Sequence, residues 1–187
     1  ITTAGNLNFD GTVSVNGSAD FSVNMTTGAA ARTINFNGAI NLSSASTKGI
    51  GFGSGFNSTL SVYNLNGTVT KNDSAGTTTF SGGMSAGTLN VNADVNLLND
   101  STKSFQVLGS GGTSPSSATV NINHASAFDD LTNINILVQG NSTGGTANGT
   151  ASFLIGANTW TNSAAISIGT NGNANTRVVL GGKTGLG

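Results

Sequence analysis

The chain has 187 residues, no cysteine and a net charge of −1, and only 7% of its residues are charged, against the roughly 25% usual in soluble domains. Six Lys and Arg spread over the whole length make no phosphate-binding stripe, which argues against a nucleic-acid partner. The missing thiols exclude disulfides and cysteine zinc sites, and no segment approaches the ~18 consecutive apolar residues of a membrane helix.

Hydrophobic content is 36%, with nine Phe, so one domain over residues 1–187 can bury a core without staples. Every acidic residue is Asp, and Gln occurs only at Gln106 and Gln139 while Asn is abundant. Glu and Gln suit helices, whereas Asp and Asn compete with helix by bonding to nearby backbone. Together with 28 Gly this predicts strands joined by tight turns and almost no helix. A chain that starts at Ile1, without a basic and apolar leader, reads as a processed, secreted protein.

Alternation of apolar and polar residues is the main signal. Ile1, Thr3, Leu7 and Phe9 share one parity, followed by Val13 and Val15, then Phe21, Val23 and Met25. Ile34, Phe36, Ile40 and Leu42 come next, and Leu60 and Val62 lie in 58–70. The clearest run is Leu89, Val91, Ala93, Val95 and Leu97, with Asn90, Asn92, Asp94 and Asn96 between them. It predicts one continuous strand with Val91 and Val95 buried and one wet face. Further strands are expected at 104–108, 118–124, 133–138, 151–157, 165–169 and 177–180, and one helical turn at 125–131. Asp10-Gly11, Asn16-Gly17, Asn37-Gly38, Asn66-Gly67 and Asn171-Gly172 read as hairpin turns. In 49–56, Gly49, Gly51, Gly53 and Gly55 share one parity and Ile50, Phe52 and Phe56 the other. That pattern suits close backbone approach or a contact strand for a neighbouring subunit. Residues 109–117 and 140–150 read as loops. Strand spacing wanders between roughly ten and eighteen residues, which argues against a solenoid.

Catalytic chemistry is thin. The one histidine, His124, alternates with Val120 and Ile122 and reads as structural. Asp129-Asp130 is the only adjacent carboxylate pair, and glycosidases need two cooperating carboxylates. No Gly-x-Ser-x-Gly elbow occurs. Gly51-Phe52-Gly53-Ser54-Gly55 lacks dinucleotide-loop spacing, and Gly182-Lys183-Thr184 imitates a P-loop end, but Arg177 stands where that motif needs its first Gly. No catalytic residue, cofactor site or metal site is therefore expected. Asn92, Asp94 and Asn96 form an oxygen row, and Asn72-Asp73 and Asn99-Asp100 suit turns, but neither an EF-hand nor tandem Gly-Gly-x-Gly-x-Asp repeats accompany them. Sequons stand at Asn16, Asn24, Asn41, Asn57, Asn66, Asn72, Asn99, Asn141 and Asn148. They permit glycosylation in a secretory setting.

Residues 5–24 (Gly-Asn-Leu-Asn-Phe-Asp-Gly-Thr-Val-Ser-Val-Asn-Gly-Ser-Ala-Asp-Phe-Ser-Val-Asn) resemble the first strands of secreted biofilm-fibre subunits of the TasA and camelysin type and of archaeal bundling pili. That resemblance implies a jelly-roll-like sandwich and a fibre in which each subunit lends a strand to the next. Residues 77–97 are similar to autotransporter and haemagglutinin passenger segments, which implies a right-handed β-solenoid adhesin. The two-faced alternation of 91–97 and 34–42 favours the first. The expectation is an all-β, jelly-roll-like antiparallel β-sandwich, with a right-handed parallel β-solenoid as the alternative. Its expected role is a non-enzymatic extracellular filament, pilus or surface-layer subunit whose partners are copies of itself. Ile1, Thr3, Leu7 and Phe9 are the candidate donor strand, and Gly49, Gly51, Gly53 and Gly55 the candidate contact strand. An adhesin binding cells or glycans is the second reading, and a polysaccharide-acting enzyme a distant third.

Overall fold

A computed structural model describes residues 2–3, 5–16, 21–25, 32–43, 50–52, 61–72, 87–97, 104–111, 116–124, 135–142, 149–155, 166–171 and 177–182. In chain order the strands are β1 (Thr2–Thr3), β2 (Leu7–Phe9), β3 (Val13–Asn16), β4 (Phe21–Met25), β5 (Arg32–Phe36) and β6 (Ile40–Ser43). Then come β7 (Ile50–Phe52), β8 (Ser61–Leu65), β9 (Val69–Asn72), β10 (Gly87–Val91), β11 (Val95–Leu97) and β12 (Ser104–Gly111). The last are β13 (Ser116–Ile122), β14 (Asn135–Ser142), β15 (Gly149–Ile155), β16 (Ile166–Asn171) and β17 (Arg177–Gly182). The described residues contain strands and no helix. The stretch expected to form a helical turn, 125–131, lies outside them.

Every strand pairing among the described residues is parallel. This overturns the antiparallel jelly-roll sandwich; the parallel solenoid alternative is compatible with the pairing. A seven-stranded sheet runs β17-β15-β13-β10-β8-β5-β2, and a four-stranded sheet runs β11-β9-β6-β3. Two three-stranded sheets run β1-β4-β7 and β12-β14-β16. Successive strands of the large sheet are separated in sequence by strands of the others, as parallel pairing demands a crossover. The chain thus returns to the same sheet coil after coil.

The coils are in register. Leu7 lies opposite Ile34, Ile34 opposite Tyr63, Leu89 opposite Tyr63 and Val120, Phe153 opposite Val120, and Leu180 opposite Phe153. A second inward row begins Phe9, Phe36, Leu65, Val91 and Ile122. In the four-stranded sheet Val13, Ile40, Val69 and Val95 align. Ile34, Phe36, Ile40, Tyr63, Leu89, Val91, Val95 and Val120 are all buried, with Val23 of β4 and Phe52 of β7 in the same cluster. Phe9 stacks on Phe36 with centroids 4.9 Å apart, and Phe52 meets Phe36 and Tyr63 edge-on or tilted. Each such buried side chain contributes about 1.5–3 kcal/mol.

Between the two larger sheets the backbone turns a corner rather than a hairpin. Asp10-Gly11, Asn37-Gly38 and Asn66-Gly67 all sit at this corner, joining strands of different sheets; the hairpin expectation fails there. Asn16-Gly17 and Asn171-Gly172 run beyond the described residues. The same corner splits the expected continuous strand at 89–97. β10 ends at Val91 and β11 starts at Val95, with Asn92, Ala93 and Asp94 between them. Val91 and Val95 are buried, and Asn92 and Asp94 exposed, because the alternation passes through the bend without changing phase.

Glycine is needed at the corner for a packing reason. A Cβ on Gly38 would drive into the Gly11 carbonyl and come 2.9 Å from the Thr12 nitrogen. One on Gly67 would meet the Gly38 carbonyl and lie 2.8 Å from the Ala39 nitrogen. Gly11, in the first coil, has open space where its Cβ would go. Gly38→Ala and Gly67→Ala should each lower unfolding free energy by about 1–3 kcal/mol, whereas Gly11→Ala should stay within about 0.5 kcal/mol. Urea melts of the three variants check this, and equal losses would contradict the corner geometry.

Candidate functional site: two asparagine ladders

Among the described residues, the corner and the outer face of the seven-stranded sheet carry two continuous rows of side-chain hydrogen bonds. Within each coil the inward residues alternate with outward Asn at the same place: Leu7-Asn8-Phe9-Asp10, Ile34-Asn35-Phe36-Asn37, Tyr63-Asn64-Leu65-Asn66, Leu89-Asn90-Val91-Asn92 and Val120-Asn121-Ile122-Asn123. Parallel in-register pairing stacks these into two rows.

In the first row Asn35, Asn64, Asn90 and Asn121 each donate Nδ2–H to Oδ1 of the residue one coil earlier, the series starting at Asn8. The distances are 2.7–2.8 Å and the sequence separations 27, 29, 26 and 31. In the second row Asn37, Asn66, Asn92 and Asn123 do the same at 2.7–2.8 Å, starting at Asp10. The backbone reinforces this corner. The Phe9 carbonyl accepts from the nitrogens of Asn37 and Gly38, the Phe36 carbonyl from Asn66 and Gly67, and the Val91 carbonyl from Asn123 and His124. A further cross-coil bond runs from the Thr33 nitrogen to Asn6 Oδ1, 2.8 Å.

Asn suits these rows because its amide is both donor and acceptor, so identical residues can chain without a break. The separations of 26–31 residues are the repeat that strand spacing conceals. Uneven spacing blurs it, while the local Asn pattern recurs in the five coils from Leu7 to Asn123. The first row ends where Leu154, in register with Asn121, offers no amide.

The other singled-out residues fall as follows. His124 stands at the corner of the fifth Asn coil, with Nε2 3.0 Å from Asp94 Oδ1. Both side chains are about half exposed, so this is a surface pair of little energetic weight. The oxygen row Asn92-Asp94-Asn96 does not survive folding. Asn92 is engaged in the ladder, Asp94 meets His124, and Asn96 lies past the bend on β11. Among the described residues no three His, Cys, Asp or Glu gather as metal ligands. Asp129-Asp130, Asp73, Asn99 and Asp100 lie outside them.

Thr3 belongs to β1, paired with β4, and Leu7 and Phe9 to β2, paired with β5 of the same molecule; Ile1 lies outside the described residues. The candidate donor segment is therefore engaged at home, and lending it would require breaking these pairings. Gly51 sits in β7 opposite Ser22 of β4, with Phe52 buried beside it; Gly49, Gly53 and Gly55 lie outside the described residues. Of the sequons, Asn41 is exposed on β6, and Asn66 is exposed but bonded on both sides within the corner ladder. Asn16, Asn24, Asn72 and Asn141 lie in β3, β4, β9 and β14, and Asn57, Asn99 and Asn148 are outside the described residues. Arg32 opens β5 in the inward row that Ser61 continues, half-buried, with its Nε buried and lacking a hydrogen-bond partner.

No family model, curated protein or solved structure matches the chain.

The ladders make a direct prediction. Asn64→Ala removes a donor and an acceptor in mid-row and should cost about 1–3 kcal/mol. Asn8→Ala removes one exposed end bond and should cost less than about 1 kcal/mol. Denaturant midpoints measure both, and an Asn64→Ala loss no larger than that of Asn8→Ala would show that the row is ornamental.

Proposed function

We propose that this chain is a structural subunit of an extracellular filament, pilus or surface layer, and that its partners are copies of itself. The observation that carries this reading is the in-register repetition of uncharged surface along the sheet. An Asn row runs from Asn8 to Asn121, and Thr88 aligns with Thr119 on the same face, in a chain only 7% charged. Little repulsion then opposes close packing of one copy on another. A single half-exposed histidine beside one aspartate and the complete absence of Glu support a mechanical rather than catalytic role.

A second reading is an adhesin domain that lays this neutral face on a cell or glycan surface. The aligned Asn and Thr side chains favour it, because a fixed array of hydroxyls and amides can hydrogen-bond to a polymer's repeated hydroxyls.

Electron microscopy of the purified chain distinguishes the two. Fibres or sheets that grow with protein concentration are expected. Particles that stay single and short at every concentration, together with saturable binding to a glycan or cell surface, would overturn the filament reading in favour of the adhesin.

A further inference from the structure

We infer that copies of this chain join end to end, with the outer edge of β17 in one copy pairing in parallel with the outer edge of β2 in the next, so that the two share one composite coil. The inference rests on the reading of the chain as a self-associating subunit and specifies the contact.

Among the described residues the large sheet is bounded by β2 and β17, and these edges match. At the β2 end the inward side chains are incompletely covered. Leu7, Phe9, Val13 and Val15 are only partly buried, while their neighbours one coil later, Ile34, Phe36, Ile40 and Leu42, are buried. One face of the Phe9 ring lies on Phe36. At the other end the rows arrive at Leu180, Gly181 and Gly182, which continue the Leu7, Asn8 and Phe9 rows respectively. In the stacked pair the Leu180 position would stand in register with Leu7, and the bare backbone of Gly182 in register with Phe9. A ring against a glycine is a good fit for an end-on contact, because the aromatic covers backbone that carries no side chain of its own.

The partial coils at the two ends are complementary. β1 precedes β2 and pairs with β4, in a different sheet from β2. β17 follows β16 and belongs to the large sheet. One end therefore carries a strand of the sheet that closes a coil, and the other a strand of the sheet that opens one. Stacked, β17 of one copy and β1 of the next fall in the same coil.

The corner row completes the match. Every amide in it donates toward the N-terminal side, so the first member would have to donate outward to continue the row. That member is Asp10, which accepts from Asn37 and as a carboxylate has no hydrogen to donate. An Asn from another chain in the same sense would set oxygen against oxygen. A partner that presents a donor rather than another acceptor is therefore required opposite Asp10. The contact is thus selective for one end over the other, giving a head-to-tail polymer that does not close on itself.

The test uses the absence of native cysteine. Asn8→Cys with Gly181→Cys places thiols in neighbouring positions of the proposed interface, where in-register parallel strands about 4.8 Å apart suit a disulfide. Within one copy these positions lie at opposite edges of a seven-stranded sheet, so the bond can form only between copies. Mild oxidation should produce a ladder of multimers on a non-reducing gel, at least about tenfold more abundant than from the control pair Ser14→Cys with Gly181→Cys, because the interface raises the local thiol concentration. Circular dichroism and thiol titration confirm that both variants are folded and accessible. A folded Asn8→Cys/Gly181→Cys protein that ladders no more than the control overturns the inference. If it fails to ladder under conditions where it forms fibres by electron microscopy, the end contact is wrong and the filament reading stands. If neither fibres nor ladder form, both fall.

Discussion

The structure depends on one constraint: parallel, in-register stacking sets like residues on like. Neighbouring strands lie about 4.8 Å apart, so a charge repeated in each coil would face its own copy at a cost of about 1 kcal/mol per pair even in water. An apolar residue facing its like fills the core, and an Asn facing its like makes a hydrogen bond. The rows from Leu7 to Val120 and from Phe9 to Ile122 follow this rule inward, and the row from Asn8 to Asn121 follows it outward. The scarcity of charge is then a condition of the stacking rather than only a property of the surface.

The amide rows also give the stack a direction. Each bond points the same way along the axis, from later coil to earlier, so the two ends differ chemically. Asp10 closes the early end of the corner row with an acceptor that cannot pass the bond on. Leu154 stops the sheet-face row before the last two strands, where backbone pairing continues without it. Gly38 and Gly67 serve the same geometry from the backbone side, since each must lie against the carbonyl of the preceding coil's corner. A corner so crowded tolerates no Cβ, whereas Gly11, with no described neighbour over it, has room.

Much of the β-content was legible beforehand. Alternation located Ile34, Phe36, Leu89, Val91 and Val95 on the buried side, and the absence of Glu announced the lack of helix among the described residues. Strand direction was not legible, because an alternating strand with one wet face looks the same whether its neighbour runs parallel or antiparallel. Asn-Gly misled for a similar reason. The dipeptide suits a hairpin through positive φ, but at Asn37-Gly38 and Asn66-Gly67 it serves a corner, where Asn continues a ladder and Gly yields to a neighbouring carbonyl. The continuous strand expected at 89–97 failed because the bend at 92–94 preserves parity. The ladders left a signal in the recurring pattern of apolar-Asn-apolar followed by Asn or Asp, from Leu7 to Asn123. Loops of unequal length hid its period.

The sequence by itself determined that this chain is a β protein with an apolar face and a polar uncharged face, since those properties reside in residue types and their local alternation. Only the tertiary structure decided that the strands run parallel, that Asn8 and Asn121 belong to one row, and that Asp10 stands at the head of another. The reason is physical. A side chain's preference for core or water is a property of a few neighbouring residues, whereas a bond between amides 26–31 positions apart exists only once the chain has come round to the same face in register.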